Sequence, residues 1–227
     1  MKMLVMPANA TGWFWHCLAR ETGRIGHLYS PGAERGPWPW LPYALDNGAF
    51  AAWDQSANVW NPEAWNADAW RKMLRWAQAQ QHQPRWAIVP DWIGCGARTL
   101  ERWAQFGHEV PFPKALAVQD GMRVDQVHAI NPDVVAVGGT TEWKWKTVEM
   151  WAKEFPRVHV LRVNSPGKLA YLEQLGVESC DGTGWNRGDK TQTLGLEIWA
   201  RKNPTPTTTL LSGHTCKQPD RQQLSFL

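Results

Sequence analysis

The 227-residue chain has few cysteines, little net charge and no long apolar run. No stretch approaches the roughly 20 apolar residues that a membrane-spanning helix needs, and the start "MKMLVMP" is too short for the apolar core of a secretion signal. A soluble, cytoplasmic protein with no membrane partner is therefore expected. The four cysteines, Cys17, Cys95, Cys180 and Cys216, stand far apart and form no C-x-x-C pair, which suits a reducing compartment. His214 with Cys216 is too little for structural zinc, whose ligands come at short paired spacings, so neither a metal nor another cofactor is expected. A formal net charge of +3, with the basic residues spread rather than blocked, permits a nucleic-acid partner without requiring one.

Tryptophan, by contrast, is abundant, with 17 in the chain. Indoles pack helix faces or serve as stacking platforms for bases, and both readings stay open at each position.

Short β-rich runs alternate with longer amphipathic stretches. Strands are expected over 3–7, 25–30, 43–48, 86–91, 114–120, 134–139, 159–164 and 178–183. Most are nearly continuous apolar runs, as in parallel strands buried on both faces. Helices are expected over 12–23, 66–81, 98–107, 146–155 and 167–176, with a final segment over 192–203. The connection "PGAERGPWPWLP" (31–42) carries no helix pattern, residues 51–65 read as an insertion with three tryptophans, and 203–227 read as an irregular tail.

Eight strands separated by helices or tight connections point to the α/β class, with residues 1–202 forming a compact single-domain (β/α)8 barrel of the TIM type. A doubly wound sheet is the competing topology. Polar or glycine clusters end strand after strand: Asp46-Asn47-Gly48, Asp91, Gln119-Asp120-Gly121, Gly138-Gly139, Asn164-Ser165 and Asp181-Gly182. In a barrel these ends converge on one mouth, where active sites are assembled, and that convergence favours the barrel.

Taken singly, Asp46, Asp91 and Asp181 each read as a helix cap or turn residue. Together at one mouth they suit the cleavage of a purine N-glycosidic bond. Positive charge develops on the sugar, so one carboxylate can attack or stabilise C1′ while a second handles the proton. A third can accept the N1–H and N2–H of a guanine edge. Gln119 and the backbone N–H of Gly139 could serve O6, and Arg187 could hold a flanking phosphate.

These segments resemble the queuine/archaeosine tRNA-guanine transglycosylase superfamily, whose members exchange guanine for a 7-deazaguanine. "LDNGAF" is similar to that family's Asp-Ser-Gly-Gly-Phe motif, "VPD" (89–91) to its base-binding aspartate strand and "LAVQDG" to its Val-Gln-Gly strand. "VAVGG" resembles its base-contacting Gly-Gly turn, and "LGVESCDGTGWNR" its Gly-Val-Asp-x-x-Asp nucleophile segment with an arginine six residues on. The order holds over about 43–188, roughly two-thirds of the chain. Asn47 and Ala49 depart from the family's Ser and second Gly, "TTEWKWK" is shorter than its Leu-Ala-Val-Gly-Glu, leaving Glu142 unplaced, and the Cys-x-Cys-x-x-Cys…His zinc segment is missing.

The resemblance implies Asp181 as the nucleophile on C1′ and Asp46 as the general base. It implies Asp91 as the reader of the guanine edge, with Asn47, Gln119, Gly138 and Gly139 completing the pocket, and Arg187 near the nucleic-acid backbone. The missing zinc segment and the short chain tilt the expectation to the branch, found in phages and bacteria, that inserts bases such as preQ0 into DNA and so evades restriction. Transfer RNA is the alternative acceptor. Trp92, Trp143, Trp145 and Trp185 follow strand ends and could stack on DNA, with Lys144 and Lys146 adding a basic-aromatic patch; helix packing and a solvated face are the opposing readings. A nucleoside hydrolase and a non-catalytic nucleic-acid-binding barrel complete the alternatives.

Overall fold

The valine- and alanine-rich runs bury both faces, and they do so as parallel strands. The structure, a computed structural model, describes residues 2–9, 12–54, 57, 59–187 and 190–202; the expected tail, 203–227, lies outside them. Eight strands form one parallel sheet: β1 (Leu4–Pro7), β2 (His27–Tyr29), β3 (Tyr43–Leu45), β6 (Ala87–Ile88), β7 (Lys114–Val118), β8 (Val134–Val137), β9 (Val158–Val160) and β10 (Ser179–Gly182). Neighbours follow chain order, and β10 returns to pair with β1 in the register Met6 to Asp181. Between β1 and β2 the isolated parallel bridges Val5–Ile25 and Ala8–Leu28 nearly close the ring. This order is that of a TIM-like barrel rather than a doubly wound sheet, in which the chain reverses its direction of winding.

Alternation along the strands separates two layers. Leu4, Met6, Leu28, Ala44, Trp86, Ile88, Ala115, Ala117, Val134 and Ala136, drawn from around the ring, form one buried cluster that fills the barrel. The alanines leave room for the indole of Trp86, whose ring lies 4.6 Å from that of His159. The opposite strand positions, such as Val5, Leu116, Val135, Val158 and Cys180, pack outward against the helices.

Those helices are α1 (Trp13–Thr22), α2 (Ala67–Gln78), α3 (Gly96–Phe106), α4 (Val124–Ile130), α5 (Thr141–Glu154), α6 (Pro166–Gln174), the short α7 (Gly184–Arg187) and α8 (Lys190–Lys202). As expected, none forms between β2 and β3; there Trp38 and Trp40 pack against the outer core. The insertion after β3 contains a small antiparallel hairpin, β4 (Trp53–Asp54) with β5 (Val59–Trp60), flanked by single 3-10 turns.

Three helices depart from the expected segments, among them the short α7, which matches none of them. Helix α4 was not foreseen; it is seven residues long, with Gln126 accepting the Arg123 N–H at its start. Helix α5 begins at Thr141 rather than 146, because Thr140 caps it by accepting the Trp143 N–H at 3.3 Å and Glu142 sits in its first turn. This five-residue shift turns Lys144 inward, onto the buried face shared with Val148 and Trp151.

Candidate active site at the barrel mouth

A cavity of about 610 Å³ opens over the C-terminal ends of the strands, within the size range of small-molecule sites. Asp46, Asn47, Asp91, Gln119, Gly138, Gly139, Asp181 and Arg187 all line it, although they are spread over 142 positions of sequence, from 46 to 187.

Asp91, just beyond β6, is buried and held from both sides. Asn47 Nδ2 donates to its Oδ1 at 2.8 Å, and Gln119 Nε2 donates to its Oδ2 at 2.6 Å. Asn47 also donates to the Val89 carbonyl and accepts the Ala49 N–H, so its amide is engaged within the protein. Gln119 accepts the Gly94 N–H and retains a second amide hydrogen on Nε2. Burial raises the Asp91 pKa, against the hydrogen bond from Asn47 and the nearby charges of Arg102 and Arg162.

Asp46 follows β3. Its Oδ1 accepts the Asn47 N–H at 2.8 Å, and its Oδ2 accepts from Ser30 Oγ at 3.2 Å. Ser30 is itself fixed by Asn9, which accepts the Ser30 N–H at 3.1 Å. Burial first, then the charges of Asp181 and Asp91, push Asp46 up to about 7, outweighing the two hydrogen bonds. A carboxyl poised there both gives and takes a proton at neutral pH.

Asp181, in β10, faces the cavity beside groups that sequence reasoning missed. Its Oδ1 accepts the Arg162 backbone N–H at 3.0 Å and lies 3.2 Å from His159 Nε2, whose Nδ1 lies 2.8 Å from Ser179 Oγ. Both ring nitrogens of His159 are thus engaged, Nε2 with Asp181 and Nδ1 with Ser179. His159, on β9, shares the inward-facing parity of Leu161 just beyond the strand; in the sequence it is a lone histidine in an apolar run, and only its register with Ser179 brings it under the nucleophile candidate.

Glycines shape the opposite wall. Gly139 has φ +70, and a Cβ there would lie 2.4 Å from Asp120 Oδ2 and 2.7 Å from Trp143. Asp120 in turn accepts the Thr140 N–H and hydroxyl, both at 2.7 Å, tying the end of β7 to the start of α5. The Arg162 guanidinium donates to the Gly139 carbonyl and lies 5.5 Å from the ring of Phe50, an exposed residue on the cavity rim.

The expected nucleic-acid contacts divide. Arg187 is exposed and lines the cavity. Trp185 does not reach the surface: it is fully buried in the outer core, where the short α7 tucks its indole inward. Lys144 is a second correction, being 2% exposed with its ammonium donating to the carbonyls of Leu161 at 2.6 Å and Arg162 at 3.1 Å. Burial lowers its pKa to about 8. Trp143 packs half-buried under the Gly139 turn and against the core, and Trp145 is half-buried with Lys168 Nζ 4.7 Å from its ring. Lys146 is exposed, and half-buried Trp92 packs on Trp60 at 4.6 Å. The basic-aromatic patch thus reduces, on α5, to one exposed lysine beside two half-buried indoles.

The chain matches no family model and no curated protein. The cavity's own chemistry therefore has to carry the functional reading. It offers one carboxylate locked between two amides, one that titrates near neutrality and one backed by a histidine and a backbone N–H.

Proposed function

We propose that the protein is a DNA-guanine transglycosylase that exchanges guanine for a 7-deazaguanine such as preQ0 through a covalent intermediate on Asp181. The observation that carries this reading is the convergence of Asp46, Asp91 and Asp181 on one cavity in three different environments. Carboxylates in unlike surroundings take unlike roles.

In this scheme Asp91, steadied by Asn47 and Gln119, accepts N1–H and N2–H of guanine through its remaining lone pairs. The second Gln119 amide hydrogen is available to O6, and the glycine wall lets the purine lie close to backbone. Asp181 attacks C1′; the new C–O bond forms as C1′–N9 breaks, and the leaving electron pair on N9 takes a proton from Asp46. The incoming base then returns a proton to Asp46 as its N9 attacks C1′ and releases Asp181. One proton and one sugar bond are exchanged with no net redox change, which a carboxyl titrating near 7 is suited to serve.

DNA is proposed as the acceptor with tRNA as the alternative, and the exchange assay distinguishes the two. A duplex substrate must also yield its guanine from the stack, at a cost of a few kcal/mol. Arg187 and Phe50, both exposed and lining the cavity, are available to a bound strand.

An exchange assay tests the proposal. Guanine-labelled duplex DNA, or labelled tRNA, is incubated with preQ0 and either wild type or Asp181→Ala. Label release from DNA that requires preQ0, and that falls by orders of magnitude in Asp181→Ala with folding intact, is the expected result. Release from tRNA alone would reassign the acceptor, and guanine release without preQ0 would make the protein a hydrolase. If Asp181→Ala bound nucleic acid as well as wild type and neither released label, the chain would be a binding barrel.

A further inference from the structure

Lys144 stands on α5, behind the strand layer, and is 2% exposed. An ammonium taken from water is costly unless it is paired, and a methionine of similar length would fill the same space without that cost. Yet Lys144 makes no ion pair among the described residues. Its hydrogen bonds go instead to two consecutive carbonyls, Leu161 and Arg162, at 2.6 and 3.1 Å.

Those carbonyls flank an unusual turn. Through Leu161, β9 keeps its ladder, the Leu161 N–H donating to the Val137 carbonyl at 3.0 Å. The next residue, Arg162, has φ +57, the left-handed region that side chains other than glycine adopt reluctantly. This turn aims the Arg162 N–H at Asp181 Oδ1, 3.0 Å away, and the following N–H, of Val163, returns to the Asp181 carbonyl. The left-handed residue thus gives the amide on Asp181 its direction, and Lys144 grips the turn from behind.

We infer that Lys144 is a positioning residue for Asp181, acting through the Leu161–Arg162 turn; the inference rests on the transglycosylase reading and names a further residue for that site. Oδ1 is engaged by the Arg162 N–H and by His159, whereas Oδ2 has no hydrogen-bond partner among the described residues. Oδ2 is therefore the oxygen that forms the bond to C1′ as the C1′–N9 bond breaks and its electron pair leaves on N9. When Lys144 is lost, the strained turn relaxes, the Arg162 N–H swings off Oδ1 and the carboxylate rotates away from C1′. Base binding at Asp91 is largely kept, because the Asn47 and Gln119 amides that hold Asp91 are not part of that turn.

The test uses Lys144→Met and Lys144→Arg, each in wild type and in the Arg162→Gly background. Glycine adopts the left-handed turn without support, so the second background asks whether Lys144 acts through that turn. Single-turnover formation of the protein–DNA adduct is measured beside the affinity for free guanine. Lys144→Met is expected to slow adduct formation about 10- to 100-fold, the scale of an ångström-sized misplacement, with guanine affinity within about twofold of wild type. Lys144→Arg should recover part of the rate, and Lys144→Met should cost much less in the Arg162→Gly background. An equal loss in both backgrounds, or a loss of affinity at unchanged rate, would overturn the inference.

The Arg162 amide resonance in a 1H–15N spectrum separates this inference from the reaction itself. Asp181→Asn should shift that resonance, and Lys144→Met should shift it too, with no substrate present. If wild type forms no adduct but the amide responds to Lys144→Met, the transglycosylase reading fails and the positioning role stands. An amide that ignores Lys144→Met refutes the positioning role.

Discussion

Replacing Asp46 with asparagine should stabilise the protein at pH 8 far more than at pH 5. Burial, then the charges of Asp181 and Asp91, raise this carboxyl to about 7 in the folded chain, against about 3.9 in an unfolded one. The folded state therefore holds the proton more tightly. That contribution is fully present below about pH 4 and is lost as the pH rises through the folded value near 7. From pH 5 to pH 8 the wild type loses at most about 1.4 kcal/mol per unit, or about 3 kcal/mol in all. Asparagine does not titrate and loses none of it. The advantage of Asp46→Asn over wild type should thus grow by about 3 kcal/mol between pH 5 and pH 8, or about 6–12 °C in Tm for a chain of this size. Tryptophan-fluorescence melts of both proteins at pH 5, 6, 7 and 8 measure it. Parallel Tm curves would refute the reasoning, since they would mean that Asp46 titrates alike in the folded and unfolded chains. The same substitution should cripple base exchange, making Asp46 a residue kept for chemistry at the expense of stability.

Asp91→Asn should weaken guanine binding about tenfold or more by calorimetry, because a carboxylate that accepts two N–H groups becomes an amide that also donates. Trp185→Ala should lower stability in urea by about 3–5 kcal/mol, as expected of a core indole. Arg187→Ala should leave the urea midpoint unchanged and reduce the salt slope of DNA binding by about 1, so the pair separates packing from phosphate contact. Gly139→Ala should cost about 1–3 kcal/mol in chemical denaturation, because φ +70 and a Cβ 2.4 Å from Asp120 Oδ2 both oppose it.

The barrel was legible because its signals are local. Continuous apolar runs ending in Asp46, Asp91, Gln119, Gly138-Gly139 and Asp181 imply parallel strands with their chemistry at one end, and the structure gathers those residues into one cavity. Lys144 was misread through a helix boundary. With α5 starting at Thr141, Lys144, Val148 and Trp151 fall at i, i+4 and i+7 on one buried face, where the lysine takes an apolar position. The signal was present in that spacing and in the cap at Thr140, but "KWK" read by itself resembles a basic surface patch. Trp185 was misread for a related reason, since a residue just past a strand end can turn to the mouth or to the outer core, and the short α7 turns it outward from the barrel axis into the core.

Hydropathy pattern and residue type, both carried by neighbours in the chain, thus determined that this protein is built of parallel strands and helices with three carboxylates at strand ends. Which group serves each carboxylate was decided only by the tertiary structure. Asn47 and Gln119 reach Asp91 from positions 44 and 28 residues away, and His159 and Arg162 reach Asp181 across the strand β9–β10 pairing. Closure of the ring also brings Asp46 within the field of Asp181 and moves its titration toward neutrality. Burial and charge act through space, and the distances that set them exist only once the barrel has closed.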